Sequence, residues 1–187
     1  MKLRKLKRKD APLMLEWMHD PVVVGNLQTD FASKTMEDCE TFIETSQSDK
    51  ENIQLAIVDD SDEYMGTVSL KHITASDAEF AIAVRKSAMG KGYSQYGMKE
   101  IIRYGFDNLE LESIYWCVSP ENKRALCFYD KNGYERMKSL KARGGTRQSK
   151  PDIISGTKQK GGCTERNLKT EYRNGFLFGH QTKEETV

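Results

Sequence analysis

The sequence lacks a long apolar run, because the longest uninterrupted ones, Phe80–Val84 and Ile114–Val118, each span only five residues. A membrane-spanning helix needs about 20 apolar residues, so the sequence predicts a chain that does not cross a bilayer. The basic start Met1–Lys9 leads into no apolar stretch of the kind that signal peptides carry. We therefore expect no secretory leader and a cytoplasmic location.

Cysteine and histidine are scarce, with four and three residues respectively in a chain of 187. The cysteines, Cys39, Cys117, Cys127 and Cys163, form no CxxC pair and no Cys/His cluster, so the sequence predicts neither a disulfide framework nor a zinc site. Cys117 lies in a predicted strand and Cys127 in a predicted helix, and no His is close to either. This pattern favours buried structural cysteines over nucleophiles, and we expect no metal cofactor.

The charge is unevenly distributed along the chain, although the net value is only +1. The last 51 residues carry eleven Lys and Arg against five Asp and Glu, whereas the rest carries 18 against 23. Weak apolar periodicity in the same part predicts one domain over residues 1–140 and a basic, loop-rich extension over residues 141–187, with a last strand near 172–178. Contact of this extension with nucleic acid or the ribosome stays open. A solvated extension is favoured, because no aromatic residue that could stack bases lies between Lys138 and Lys169.

Helix-like and strand-like patterns alternate over residues 1–140. Asp10 can cap a first helix that contains Pro12, and Thr35 forms a capping-box pattern with Asp38 at the start of a second. Further strands are predicted at Ile53–Val58, Tyr64–Ile73, Ala78–Val84, Ser113–Val118 and Tyr134–Leu140, and further helices at Ser94–Asn108 and Asn122–Asn132. The order predicts an α/β fold with a mixed sheet.

The segment Met89–Ser94, with the sequence MGKGYS, separates a predicted strand from a predicted helix. Gly90 and Gly92 allow successive backbone N–H groups to point toward one site, and the helix N-terminus adds partial positive charge there. This arrangement suits a pyrophosphate, although a plain structural turn explains the glycines equally well. Lys91 is followed by Gly, which excludes a Walker loop, and Gln95 replaces the third small residue of a dinucleotide-binding fingerprint.

Three segments, Leu3–Val23, Met89–Ser94 and Asn122–Tyr134, together resemble the GNAT family of N-acetyltransferases. The second resembles the acyl-CoA pyrophosphate motif Q/R-x-x-G-x-G/A of that family, and the third, NKRALCFYDKNGY, resembles its Asn-x-x-Ala motif followed by Tyr. The first is similar to the branch that includes ribosomal-protein N-terminal, polyamine and amino-sugar acetyltransferases. The resemblance covers residues 1–136 and implies a mostly antiparallel sheet flanked by helices. It also implies acetyl-CoA as co-substrate and direct attack by an amine in a ternary complex.

The resemblance implies roles for particular residues. Tyr129 would be the general acid that protonates the departing thiolate of coenzyme A. Glu79 would be the general base that takes the amine proton, directly or through water, with Asp77 as the alternative. The residues expected at the cofactor are Ile82 and Val84 through their backbones, and Met89, Gly90, Lys91, Gly92, Tyr93, Ser94, Asn122 and Arg124.

Each assignment has a structural alternative that the sequence leaves open. Tyr129 could be a core tyrosine and Glu79 an exposed strand residue. Asn122 could be a helix N-cap. Lys91 and Arg124 could be surface cations with no role at a phosphate.

Two departures from the family pattern bear on function. Met89 occupies a position where the family usually has Gln or Arg. The family ends with two antiparallel strands that wall the acceptor site, whereas only Tyr134–Leu140 and Tyr172–Phe178 are strand-like here. These departures motivate an alternative, a non-catalytic acyl-CoA-binding or ribosome-associated module with the same fold. The favoured function is an N-acetyltransferase whose acceptor is a polyamine, an amino sugar or a protein N-terminus, and pairing into a homodimer stays open.

Overall fold

A computed structural model describes residues 1–25, 27, 29–137 and 152–157, which form a seven-stranded sheet with helices on both faces. In chain order the strands are β1 (Lys2–Lys5), β2 (Ile53–Val58), β3 (Tyr64–Lys71), β4 (Asp77–Val84), β5 (Ser113–Val118), β6 (Glu135–Met137) and β7 (Asp152–Thr157). Their order across the sheet is β1-β2-β3-β4-β5-β7-β6. The β4–β5 pairing is parallel and the others are antiparallel. The prediction of a mixed, mostly antiparallel sheet is confirmed.

Helices of the described part are α1 (Ala11–Met18), α2 (Pro21–Val24), α3 (Met36–Ser46), α4 (Tyr93–Asn108) and α5 (Lys123–Lys131). The capping box at the start of α3 is confirmed, because Asp38 N donates to Thr35 Oγ1 and Thr35 N donates to Asp38 Oδ2. The predicted cap of α1 is wrong. The Asp10 carboxylate accepts two bonds from Arg4 and one from Lys7 N, and it makes no bond to the amides of α1.

Three elements are absent from the sequence prediction. The short helix α2 follows Asp20, whose side chain accepts from Val22 N. The edge strand β1 is mostly basic and lacks an apolar run, so only its pairing with β2 identifies it. The strand β7 lies inside the segment that was expected to be loop-rich, where it pairs with both β5 and β6. The predicted strand at 172–178 lies outside the described residues, as does the rest of the basic extension.

The core consists of two apolar clusters, one on each face of the sheet. In one cluster, strand residues such as Phe80 and Trp116 pack against α4, which contributes Ile101, and against α5. The other joins α1 and α3 to the opposite face and includes Trp17. Both tryptophans are buried. No helix in the described ranges is both long and apolar enough to cross a membrane.

Candidate active site

The strands β4 and β5 separate part of the way along the sheet. In the described ladder they pair at three positions, the last being Glu79 with Tyr115. Beyond that point β5 continues against β7, and β4 continues only against β3 up to Val84. The second half of β4 therefore has an edge that faces an opening between the two strands.

The direction of the backbone groups on this edge follows from one hydrogen bond. Arg85 N donates to Met65 O across the β3–β4 pair at 2.9 Å. Backbone groups alternate sides along an antiparallel strand, so those of Ile82 and Val84 point away from β3 and toward the opening. The two residues predicted to contact a pantetheine arm thus present main-chain donors and acceptors at the open edge.

The glycine loop (Met89–Ser94) lies at the end of this opening and leads directly into α4. Gly90 and Gly92 have φ angles of +76° and +86°, which side-chain-bearing residues rarely adopt. A Cβ added at Gly90 would meet no atom within 4 Å, so open space lies beside the backbone there. No side chain caps α4, and the amides of its first turn have no intrahelical partner. Free amides, open space and a positive helix end fit an anionic diphosphate.

The helix α5 brings a cation beside the loop and is capped by an amide side chain. Arg124 Nη1 donates to Met89 Sδ at 3.2 Å, so the two motifs of the sequence meet in space. The side chain of Asn122 caps α5, because Asn122 Oδ1 accepts from Ala125 N at 3.1 Å. The N-cap interpretation of Asn122 is therefore confirmed. Its Nδ2 group keeps its donor capacity for a neighbouring ligand.

The candidate acid Tyr129 lies in an aromatic cluster on the α4 and α5 face of the sheet. Its ring centroid is 5.1 Å from that of Trp116 and 6.2 Å from that of Tyr134. Burial, with a smaller contribution from Tyr134, raises the pKa of Tyr129 to about 12. The hydroxyl therefore stays protonated at neutral pH, as a general acid requires.

The candidate base Glu79 lies on the other face of the sheet. Side chains alternate along a strand, so Glu79 projects opposite to its buried neighbour Phe80, which contacts Trp116. Its carboxylate lies 3.2 Å from Lys71 Nζ and 3.8 Å from His72 Nε2. The candidate acid and base thus lie on opposite faces of the sheet. Lys71 is not among the residues predicted from the sequence, although an acid on one strand and a base on its hairpin partner is a recognisable cross-strand pattern.

The prediction that Cys117 and Cys127 are buried is wrong, because both are exposed. Of the three cysteines in the described part of the chain, only Cys39 is buried. Cys117 projects from β5 on the same face as Glu79. Burial of part of its side chain, together with the Glu79 charge, raises the pKa of the thiol and disfavours a thiolate nucleophile. Among the described residues no group of three or more His, Cys, Asp or Glu could hold a metal ion.

Comparison with known proteins agrees with this geometry. A family model described as an acetyltransferase (GNAT) domain matches residues 1–135. The acetyltransferase PseH of Campylobacter jejuni is 24% identical over 130 residues, which cover 70% of this chain and 80% of PseH. The spermidine N(1)-acetyltransferase of Escherichia coli K12 is 29% identical over 146 residues, which cover 72% of each protein.

Solved structures give the same fold. The crystal structure of spermidine N-acetyltransferase from Vibrio cholerae in complex with CoA and spermine has a TM-score of 0.68 at 21% identity, covering 82% of this chain and 92% of that one. The acetyltransferase relatives favour an enzyme over the non-catalytic module that the departures from the motif had suggested.

Proposed function

This chain belongs to the acetyltransferase (GNAT) domain family, and from that membership we propose that acetyl transfer takes place at the open edge of β4 by direct attack of an amine in a ternary complex. Acetyl-CoA is the co-substrate, and an amine accepts the acetyl group. One observation supports the proposed location. The pairing of β4 with β5 ends at Glu79 and Tyr115, and the open edge of β4 beyond this pair leads to the glycine loop. An added strand-like ligand can form hydrogen bonds along such an edge.

The proposed cofactor contacts follow the opening from one end to the other. The backbones of Ile82 and Val84 would bind the pantetheine arm, and Asn122 would donate to it. The amides of the glycine loop, from Met89 through Gly90, Lys91, Gly92 and Tyr93 to Ser94, would bind the pyrophosphate at the start of α4. Arg124 and the Lys91 side chain would supply positive charge to the phosphates.

The proposed chemistry uses groups from both faces of the sheet. The amine must lose a proton before attack, because a primary amine has a pKa of about 10. Glu79 would accept this proton, directly or through water. The amine nitrogen would then bond to the thioester carbonyl carbon, and Tyr129 would donate a proton to the departing sulfur as the carbon–sulfur bond breaks.

A polyamine is the proposed acceptor, and with this acceptor the chain would belong to the polyamine-acetylating part of the family. The acidic excess of the residues before Met137, 23 carboxylates against 18 cations, favours the approach of a polycation. Asp77 and Glu79 lie two residues apart on β4 and therefore on the same face, where they could hold an ammonium group. The spermidine acetyltransferases found by the comparisons support the same choice.

An acceptor panel tests this proposal. The thiol released from acetyl-CoA would be measured with spermidine, with glucosamine and with a peptide that has a free N-terminus, using the Tyr129→Phe variant as the chemical control. Turnover with spermidine that exceeds the other two by about tenfold or more would support the polyamine assignment, since selective binding of about 1.4 kcal/mol suffices for that ratio. Faster turnover of glucosamine or the peptide would refute the polyamine assignment but would leave the proposed acetyl-transfer reaction intact. Binding of acetyl-CoA without turnover of any amine would instead restore the non-catalytic alternative.

A further inference from the structure

Arg85 is a buried arginine between β4 and the glycine loop. It is only 8% exposed, and it follows the last residue of β4 directly. Burial of a guanidinium is costly unless its hydrogen bonds are satisfied, so the partners of Arg85 indicate why it is there.

Two carboxylates and one carbonyl surround the Arg85 guanidinium. Glu16 of α1 accepts from Nε at 3.1 Å and from Nη2 at 2.9 Å, in a two-point arrangement. Glu63, from the turn between β2 and β3, accepts from Nη1 at 2.7 Å, and Tyr64 O accepts from the same nitrogen at 3.1 Å. One side chain therefore joins a helix and a turn that are distant from it in sequence.

The backbone of Arg85 continues this connection into the loop. Arg85 N donates to Met65 O at 2.9 Å, and Arg85 O accepts from Ala88 N at 3.0 Å. Lys91 N in turn donates to Ala88 O at 3.3 Å. The position of the glycine loop is thus set by a chain of hydrogen bonds that begins at α1.

We propose that Arg85 is a positioning residue that fixes the glycine loop for the diphosphate of acetyl-CoA by tying it to Glu16 and Glu63. The inference rests on the proposed assignment of the loop to the cofactor. Loss of the tie leaves the residues of the glycine loop unchanged but lets the whole loop move relative to Ile82 and Val84. Since the two halves of acetyl-CoA contact these two places, mobility between them weakens binding of the donor and spares the chemical step.

The chain contains a matched control. Arg8 binds Glu40 with the same two-point geometry, Nε to Oε1 at 3.1 Å and Nη2 to Oε2 at 2.8 Å. The Arg8 side chain is largely exposed, and the pair joins the turn that precedes α1 to α3. Breaking this pair removes an arginine–glutamate contact of equal geometry that has no connection to the loop.

The test compares full-length wild type with Arg85→Met, Arg85→Lys, Glu16→Gln and the control Arg8→Met. Calorimetric titration gives Kd for CoA, and steady-state kinetics with spermidine give KM for acetyl-CoA, KM for spermidine and kcat. For Arg85→Met we expect Kd and KM for the donor to rise about 10-fold or more, the range for lost charged hydrogen bonds, with kcat and KM for spermidine within about twofold. Arg85→Lys should recover part of the affinity, because lysine keeps the charge but not the two-point geometry.

Glu16→Gln addresses the case in which Arg85→Met does not fold, because the half-exposed Glu16 tolerates a neutral amide. Glu16→Gln should raise Kd for CoA, as Arg85→Met does. Combined with Arg85→Lys in a double variant, it should raise Kd little further, because the two side chains act as one unit. Unchanged Kd for CoA in Arg85→Lys and Glu16→Gln would overturn the inference, as would an equal rise in Arg8→Met. Failure of the wild type to bind CoA would refute the cofactor assignment itself, which separates that failure from failure of the Arg85 inference.

Discussion

Arg124 contacts Met89 through a hydrogen bond from Nη1 to Sδ at 3.2 Å. The arginine of the Asn122–Tyr134 segment therefore lies against the residue of the glycine loop that departs from the family pattern. The family position of Met89 usually carries Gln or Arg, a donor for a phosphate. We propose that in this chain Arg124 of α5 supplies this donor instead. The thioether is a weak acceptor, so the guanidinium can exchange it for a phosphate oxygen.

Arg124→Met is predicted to weaken the binding of acetyl-CoA by about 10–100-fold, because a charged hydrogen bond contributes about 1.5–3 kcal/mol. Calorimetric titration with CoA checks this. Lys123→Met is the matched control, since it removes a positive charge from the preceding residue of the same helix. An equal loss in both variants would show that general charge, and not the Met89 contact, is what matters.

Tyr129→Phe is predicted to lower kcat by about 10²–10³-fold while KM for acetyl-CoA changes little, since general acids contribute in this range. The reason is that the variant keeps the ring packed on Trp116 and loses only the proton donor. Tyr134→Phe is the control, because the Tyr134 ring lies 5.0 Å from the same indole. The assignment fails if both variants lose activity equally or if Tyr129→Phe turns over normally.

The pH dependence of kcat is predicted to show no alkaline loss from Tyr129 below about pH 11, because burial raises the pKa of this hydroxyl to about 12 from an ordinary value of about 10. The raised pKa also fixes the sign for stability. The folded state holds the Tyr129 proton more tightly than the unfolded state does. The resulting contribution to the free energy of unfolding is therefore complete below pH 10 and is lost as the pH rises toward 12. A kcat profile from about pH 7 to pH 11 checks the first statement. An alkaline limb near pH 9 that disappears in Tyr129→Phe would contradict it.

Gly92→Ala is predicted to abolish most of the stabilisation by acetyl-CoA, because a side chain at this positive φ forces the glycine loop to shift. At a ligand concentration of 100 Kd the wild type should gain about 2.7 kcal/mol, which raises its unfolding midpoint by about 5–10 °C. Gly133→Ala is the control, since Gly133 also has a positive φ, +74°, but follows α5. It should lower the midpoint of the unliganded protein and keep the ligand-induced rise.

Glu79→Gln is predicted to lower kcat/KM for the amine by about 10–100-fold at neutral pH, since the amide cannot accept the proton. Asp77→Asn, two residues earlier on the same face, should lower it less than Glu79→Gln does, because it removes a charge that helps to hold the ammonium group but leaves the proton acceptor in place. Initial rates at saturating acetyl-CoA measure both. A larger loss of kcat/KM in Asp77→Asn than in Glu79→Gln would identify Asp77 as the base.

Several elements could be predicted from the sequence because their signals are local. The β2 and β5 strands have the predicted bounds, and the capping box of Thr35 and Asp38 closes as expected. Asp10 could not be assigned in this way, because the competing partner Arg4 lies on a strand whose pairing is not evident in its basic sequence. The strand β7 was missed for a similar reason, since pairing with β5 and β6 stabilises a segment with little apolar pattern of its own.

The sequence by itself determined the family, the glycine loop and the identities of Tyr129 and Glu79 as candidates, because these depend on residue types at fixed spacings. Only the tertiary structure decided that the two candidates lie on opposite faces of the sheet, that Lys71 pairs with Glu79, and that the Arg85 side chain binds Glu16 of α1. The physical reason is that these relationships join residues from different elements. A cross-strand ion pair or a buried guanidinium is specified by packing and register, which no short stretch of sequence contains.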